Sequence, residues 1–540
     1  MLFIHNSCER ILKTVRWYGA RRWVSRIRVS KPALARSHAQ IQLDWRGIAS
    51  FGLPFMIYLL TLAPTVYNLD SAELTTAAYT GGLMRSTGYP LYLTLGYFWS
   101  KLPVGDVGYR MNLLSAVFGA LTIFLAERIL RRWRLGRLAT FAALGLLATS
   151  TYFWGLSVIA EVYTLHTALM AGLILALLYW SDAPTPRRLA VVGLVGGLGM
   201  SHHAAMVLLI PGSLFYIIST HPKQALSIKS LLSFCLAVAV GLSFYLYLPV
   251  RFLAQPAFNY AGSYDMNLTF HPVDLTSLAG MWWLISGSAF KGSMMAYGLA
   301  GFWLEAKHYL VQLSRAFFAF GVGPGLLGAM ILFRRNWREG VMLAMMFILN
   351  AVFYINYRVM DKDTMYLPTY LVGALWIGLG LHALLGWAEQ VEPVYIRVLG
   401  QRILALFILG GVTLALAWNW NIVDRSADWT SRQRGEMVLR SVDKNALVIG
   451  WWDVAPVVQY LQLVEGQRPD VRAINRFLID PNDLALAIEK EVRSTPIYID
   501  SASNLLPSTL SARPVGPVYR LVVNKCRVTI CQSLRDQKSR

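Results

Sequence analysis

Six separated stretches of this sequence set ionisable or hydrogen-bonding side chains against strongly apolar runs. Asp70 and Glu73 lie three residues apart in YNLDSAELTTAAY, so both carboxyls share a face if that segment is helical. Arg85 and Tyr89 follow in RSTGYPLY, and Glu161 stands in SVIAEVYTLH. His202 and His203 close one apolar run, and Arg251 closes another in YLYLPVR. Arg358, Asp361, Lys362 and Asp363 lie between two runs in NYRVMDKDTMYLP. Charges close to a membrane core are costly, which makes them site candidates. Each also has a plainer reading. Asp70 could cap a helix opening at Ser71, and Glu73 could pair with a neighbouring Arg. Glu161 could be a helix-start acid favoured by the dipole, and Arg251 could snorkel to headgroups. His202 and His203 could be ordinary interfacial histidines, and Asp361 could belong to a solvated loop. With no Cys or Asp beside the histidines, a zinc site is not expected.

The elements that must carry these residues follow from composition. The chain has 540 residues, of which 56% are hydrophobic and 15% charged, and its mean hydropathy is +0.45. Soluble domains hold about a quarter charged residues, so a polytopic α-helical membrane protein is expected. Lys and Arg total 50 against 29 acids, a net charge of +21. Ten of the basic residues fall within 1–46, before the first apolar run. This segment is too long for the n-region of a cleavable signal. It reads as cytoplasmic, topogenic charge in contact with anionic lipid, not as a nucleic-acid site. Four cysteines exclude a disulfide scaffold.

A span needs about 20 apolar residues. About eleven are expected, near 48–64, 111–130, 138–155, 159–180, 188–203, 204–220, 229–250, 309–333, 340–357, 365–386 and 402–420. Alternate loops are basic, at Arg131–Arg137, Arg187–Arg188, Lys223–Lys229, Arg334–Arg338 and Arg397–Arg402. The positive-inside rule puts these on the cytoplasmic side with the N-terminus. The candidate residues then gather on the other side. LYLTLGYFWSKL and LAGMWWLISGSAF read as interfacial helices there. The expected organisation is a basic segment over 1–46, a transmembrane domain over 47–420 and a small extracytoplasmic α/β domain over 421–540. In that domain Ala446–Gly450, Val471–Ile474, Pro496–Asp500 and Val518–Val523 read as strands, and Val454–Val464 and Asp483–Val492 as helices. Trp451 and Trp452 beside Asp453 suit sugar packing or plain domain packing. Cys526 and Cys531 are separated by strand formers without a turn residue, so a disulfide between them is not expected.

A first span followed by an outer acidic motif resembles the GT-C membrane glycosyltransferases. LDSAELTTAAYTGGLMRSTGYPLYLTLGYFWSKLPVGDVGYRMNLLSA is similar, more closely, to the transmembrane O-mannosyltransferase-like family. FWGLSVIAEVYTLHTAL, GLGMSHHAAM, YLYLPVR, NYRVMDKDTMYLPTYL, WDVAPVVQYL and EGQRPDV match its later segments, so the resemblance covers roughly 45–480. Ala72 replaces the family's usual Gly, and Arg85-Ser86-Thr87 stands where His-Pro-Pro is common. The resemblance implies a GT-C-like fold and an inverting glycosyltransferase, active on the extracytoplasmic side of a bacterial inner membrane. It would use a polyprenyl-phosphate sugar, with mannose a candidate, and a protein or glycolipid acceptor. Asp70 would then be the general base, with Glu73 beside it. Arg251, and behind it Arg358 and Arg85, would meet the donor phosphate. Glu161, His202, His203, Tyr89, Asp361 and Trp452 would support the site or the acceptor. No metal and no cofactor beyond the lipid-linked sugar are expected. A lipid or glycolipid flippase is the alternative, which would want mid-membrane charges and an internal repeat. A non-catalytic envelope-assembly scaffold is another.

Overall fold

The structure is a computed structural model that describes residues 44–501, 507 and 509–524. Nearly all of the basic 1–46 segment and the Cys526–Cys531 pair therefore lie outside the described residues. The chain divides into two units, Met1–Gln42 and Leu43–Arg540, and the described residues belong to the second.

In lipid a helix satisfies every backbone N–H and C=O within its own segment, and the apolar runs fold accordingly. Helix α1 (Trp45–Leu60) opens at Asp44, whose carboxylate accepts from the Gly47 N–H. The short helices α2 (Asp70–Thr80) and α3 (Pro90–Trp99) follow. The bundle continues through α4 (Val107–Arg132), α5 (Arg137–Ala148), α6 (Tyr163–Asp182), α7 (Pro186–His202), α8 (Ile210–Thr220), α9 (Ile228–Leu242) and α10 (Tyr247–Leu253). A hairpin of β1 (Gly262–Tyr264) and β2 (Phe270–Pro272) and the helix α11 (Leu278–Ile285) come next. Then follow α12 (Leu299–Ala316), α13 (Val322–Arg335), α14 (Trp337–Ile355), α15 (Leu367–Ala388) and α16 (Val394–Val423). By length and composition, six helical stretches among the described residues can cross a membrane: Val107–Arg132, Tyr163–Asp182, Ile228–Leu253, Trp337–Ile355, Lys362–Ala388 and Val394–Val423. Three apolar helices are shorter.

Two expected spans are corrected: 138–155 is broken after Ala148, with a separate turn of helix over Thr151–Gly155, and 309–333 is broken as well. Residues 309–333 are not one helix but the end of α12, a break, and α13. Phe318 and Ala319 adopt positive φ at the break, and GVGPG at 321–325 starts the next helix. Pro324 is tolerated there because first-turn N–H groups have no intrahelical acceptor. The division expected between 203 and 204 falls at His203, whose extended backbone separates α7 from a 3-10 turn over Ala204–Leu209.

Helices α7 and α9 meet backbone to backbone. A Cβ on Gly193 would come 2.7 Å from the Phe234 carbonyl oxygen, and one on Gly197 or Gly241 would strike the facing helix just as hard. Gly193 and Gly197 form the small-xxx-small pattern that lets membrane helices approach. At the basic-loop end of the bundle, Arg132 pairs with Asp182 at 2.6 Å and Glu339 at 3.1 Å, and the Trp133 Nε1 donates to Glu339.

After α16 the chain builds the expected α/β domain. It contains α17 (Thr430–Ser441), β3 (Leu447–Gly450), α18 (Ala455–Leu463), β4 (Arg472–Asn475), α19 (Pro481–Glu491), β5 (Ile497–Ile499), β6 (Leu510–Val515) and β7 (Val518–Val523). The sheet order is β4-β3-β5-β7-β6, with the first three strands parallel and the last two antiparallel to their neighbours. Helix α17 and strand β6 are additions to the sequence reading. The domain sits on α2 through α18, and the Tyr460 hydroxyl accepts from the Gly108 N–H at 3.2 Å. Arg432 joins Glu465 of the domain to Asp106, which caps α4.

A branched side chain at the α7–α9 crossing must force the helices apart. Gly197→Val is expected to destabilise the protein by about 1–3 kcal/mol, the usual cost of overpacking. Gly196→Ala, facing open space, is expected to leave stability unchanged. Detergent-solubilised melting temperatures of the two variants check this.

Candidate functional site

The site lies at the end of the bundle opposite the Arg132–Asp182–Glu339 network, where α2, α6 and the α/β domain converge. Helix α2 begins at Asp70 itself, behind Leu69, which holds φ 56° and offers no side-chain cap. Asp70 is therefore not the cap of a helix opening at Ser71. Its Oδ1 instead accepts from the Arg85 Nη2 at 2.6 Å. One turn later the fully buried Glu73 takes the Arg85 Nε on Oε2 at 3.1 Å. Its other oxygen, Oε1, accepts from Asn475 Nδ2 at the end of β4, also at 3.1 Å. One guanidinium thus serves two carboxylates, and the second is held from the α/β domain.

Aromatic rings enclose the same guanidinium. Its Cζ lies 3.9 Å from the centre of the Trp452 ring, 5.7 Å from Phe477 and 5.8 Å from Phe290. Trp452 and Phe477 stack on each other. A cation over such faces gains most when desolvated. Burial would discharge Arg85, but Asp70 and Glu73 outweigh it and hold its pKa above the usual value. Burial pushes the Glu73 carboxyl up to about 8, with Arg85 opposing and Asp70 adding to the rise.

Polar residues of α4 fix the loops that present these groups. Asn112 Nδ2 donates to the carbonyls of Ala63 and Thr65, each at 2.9 Å, and its Oδ1 takes the Ala160 N–H at 2.8 Å. Ser71 Oγ accepts from the same Ala160 N–H, and Ser115 Oγ from the N–H of Glu161. These bonds lock the turn bearing Glu161 against the start of α2. Glu161 is buried and close enough to Asp70 and Asp361 for the three charges to oppose one another.

The other expected residues divide. Tyr89 sits beside His203, ring centres 5.5 Å apart, and feels the charges of Arg85 and Asp70. His202 is fully buried, with Nε2 against the Val162 carbonyl at 2.9 Å. In the 358–363 stretch Lys362 pairs with Glu305, and Asp363 accepts from the Tyr152 hydroxyl. Burial, and then the charge of Asp70, push the Asp361 carboxyl up. The Arg358 backbone N–H donates to Ser293, while its exposed side chain has no hydrogen bond or ion pair among the described residues. Arg251 stands apart. Its Nε donates to the Gly81 carbonyl at 2.5 Å and its Nη2 to Thr80, closing the C-terminus of α2. Arg85, placed by the sequence third among phosphate contacts, is the hub of the acidic pair. Asn475, Phe477, Phe290, Asn112, Ser115 and His166 were not singled out from sequence. Asn112, Ser115 and His166 carried a signal, as polar side chains inside expected spans. Among the described residues no group of three or more His, Cys, Asp or Glu is arranged to hold a metal ion.

Residues 70–226, which begin at the acidic pair, match the family model described as the Protein O-mannosyl-transferase TMEM260 N-terminal domain. That part of the chain is similar to an O-mannosyltransferase domain. Over 461 residues it is 26% identical to Protein O-mannosyl-transferase TMEM260 of Mus musculus, covering 80% of this chain and 62% of the mouse protein. It therefore spans less than two thirds of that relative. Among solved structures, ArnT from Cupriavidus metallidurans in the apo state superposes with a TM-score of 0.56 at 12% identity, covering 88% of this chain and 97% of ArnT. ArnT bound to undecaprenyl phosphate gives 0.54 at 11% identity over the same shares. These likenesses speak for the fold. With six helices among the described residues able to cross a membrane, the chain is an integral, multi-pass membrane protein.

Above about pH 8, where Glu73 is ionised, removing the shared cation leaves a buried carboxylate without its partner. Arg85→Met is expected to cost about 3–5 kcal/mol of stability, the usual range for breaking a buried pair from one side. Adding Glu73→Gln should recover much of that loss, because the amide needs no counter-charge. Thermal unfolding of the single and double variants checks the coupling.

Proposed function

We propose that this protein is an inverting glycosyltransferase that moves a sugar, with mannose the favoured candidate, from a polyprenyl-phosphate carrier to an extracytoplasmic hydroxyl of a protein or glycolipid. The supporting observation is the Asp70–Arg85–Glu73 cluster at the bundle end away from the basic loops. The positive-inside rule makes that end extracytoplasmic, in a bacterial inner membrane on this reading. The similarity to the mouse protein O-mannosyl-transferase favours mannose.

In the reaction the acceptor oxygen bonds to the anomeric carbon as the carbon–oxygen bond to phosphate breaks. The proton goes to Asp70, and polyprenyl phosphate leaves with the bonding pair. Asp70 suits the base because its side chain is 19% exposed, while that of Glu73 is sealed off. Arg85 holds the Asp70 carboxylate aimed. Glu73 is a positioning residue, holding Arg85 from behind. Arg251 is occupied by the α2 carbonyls, so the phosphate contact passes to Arg358, next to Tyr357, which feels the charge of Arg85. Arg suits phosphate through paired N–H donors. Helices α3 and α11, with Phe98 and Trp282 strongly exposed, would flank the lipid chain. Trp452 and the α/β domain would face the acceptor. A metal ion has no part in the proposal, since Arg85 already balances the carboxylates.

Asp70→Asn should abolish transfer from labelled polyprenyl-phosphate mannose in protein that remains folded at the assay temperature despite the lost ion pair, because an amide cannot take the proton. General-base catalysis is worth about 10²–10⁴ in rate. Near-normal turnover by the Asn variant would remove Asp70 from the chemistry.

The raised Glu73 carboxyl adds a pH signature. Below about pH 8 it is protonated, and one cation faces one anion; above that it ionises and the site gains a negative charge. The anionic donor is then repelled. Donor KM should rise as pH passes about 8 in wild type and stay flat in Glu73→Gln. Identical KM profiles in both would assign the limb to another group.

A further inference from the structure

Beside the acidic pair lies a wall of buried polar side chains that the proposed chemistry leaves unused. His166 on α6 is 3% exposed, and both of its ring nitrogens lack a partner. His202 is buried with Nδ1 unpartnered, as are Glu161 Oε2 and the Tyr92 hydroxyl. Ring centres of His166 and His203 are 5.3 Å apart, those of His166 and His202 6.4 Å, and those of His202 and His203 6.3 Å. Tyr92 faces His202 at 6.2 Å. Buried polar atoms are almost always paired, and an unmade bond costs about 1–3 kcal/mol. So many in one place are a built polar surface, not a packing accident. His203, only part-buried, forms its lip together with Tyr89, which leads back to Asp70 and Arg85.

The chemistry of this wall selects its ligand. Neutral imidazole offers a donor and an acceptor on opposite edges, a carboxylate accepts from two hydroxyls, and phenol does both. Groups that donate and accept alternately match vicinal hydroxyls. Aromatic faces match the C–H face of a pyranose. The wall carries no Lys or Arg, which argues against the phosphate. We infer that His166, His203, Glu161 and Tyr89 form the subsite that holds the donor's hexose ring, with the anomeric carbon toward Asp70. His202 and Tyr92 back it as positioning residues. This deepens the glycosyltransferase reading and rests on it.

The test compares binding of polyprenyl-phosphate mannose with bare polyprenyl phosphate in nanodiscs, without acceptor, beside a transfer assay on the same samples. Wild type should bind the mannosylated lipid about tenfold more tightly than the bare lipid, and each further factor of ten is one more good contact or so. His203→Ala and His166→Phe should lose that preference while their affinity for bare lipid stays within about twofold. If His166→Phe fails to fold, the part-exposed His203→Ala decides. A wild type without preference for the mannosylated lipid, or well-folded variants that keep it, overturns the subsite. Transfer with the preference retained in the variants would spare the function and remove the subsite. Preference without transfer would do the reverse.

Discussion

One guanidinium organises this end of the molecule. A buried Arg between two carboxylates is stable only if every partner is in place, because each charge alone would carry a large desolvation cost. Arg85 meets Asp70 and Glu73 because α2 sets them one turn apart and the chain turns back after it. The remaining faces are closed from far along the sequence, by Trp452 and Phe477 on the cation and Asn475 on Glu73. The α/β domain is thus part of the site. Its docking through Tyr460, Arg432 and Asn475 and the ionisation of the acidic pair are physically linked.

That dependence explains how the site can sit at a membrane surface. Helical spans leave only their ends for irregular, polar backbone. The α4 amide Asn112 and hydroxyl Ser115 turn one such end into a scaffold by fixing the loops before α2 and α6. The opposite end carries an ion network of its own, Arg132 with Asp182 and Glu339, far from the acidic pair along the same helices.

Much of this was legible in the sequence. Apolar runs marked the bundle helices, the i, i+3 spacing put Asp70 and Glu73 on one face, and alternation marked β3, β4, β5 and β7 of the tail. These signals are local. The misses have physical causes. Residues 309–333 read as one span because hydropathy ignores the backbone freedom of GVGPG. Arg251 looked like a phosphate ligand because nothing in YLYLPVR shows that Gly81 and Thr80 will end beneath it. The contact of the Trp452 ring with Arg85 could not be foreseen, because the two residues lie 367 positions apart by their numbering. Asn475 and Phe477 had no local signal. Their importance comes from contacts that span the chain.

The central claim is a single displacement in which Asp70 takes a proton and never bonds to sugar. The most direct measurement is the anomeric configuration of the first-formed product, read by NMR after transfer from a donor of defined configuration. Direct attack by the acceptor predicts inversion at the anomeric carbon. A retained configuration would demand a carboxylate nucleophile and a glycosyl-enzyme intermediate, and would contradict the role given to Asp70.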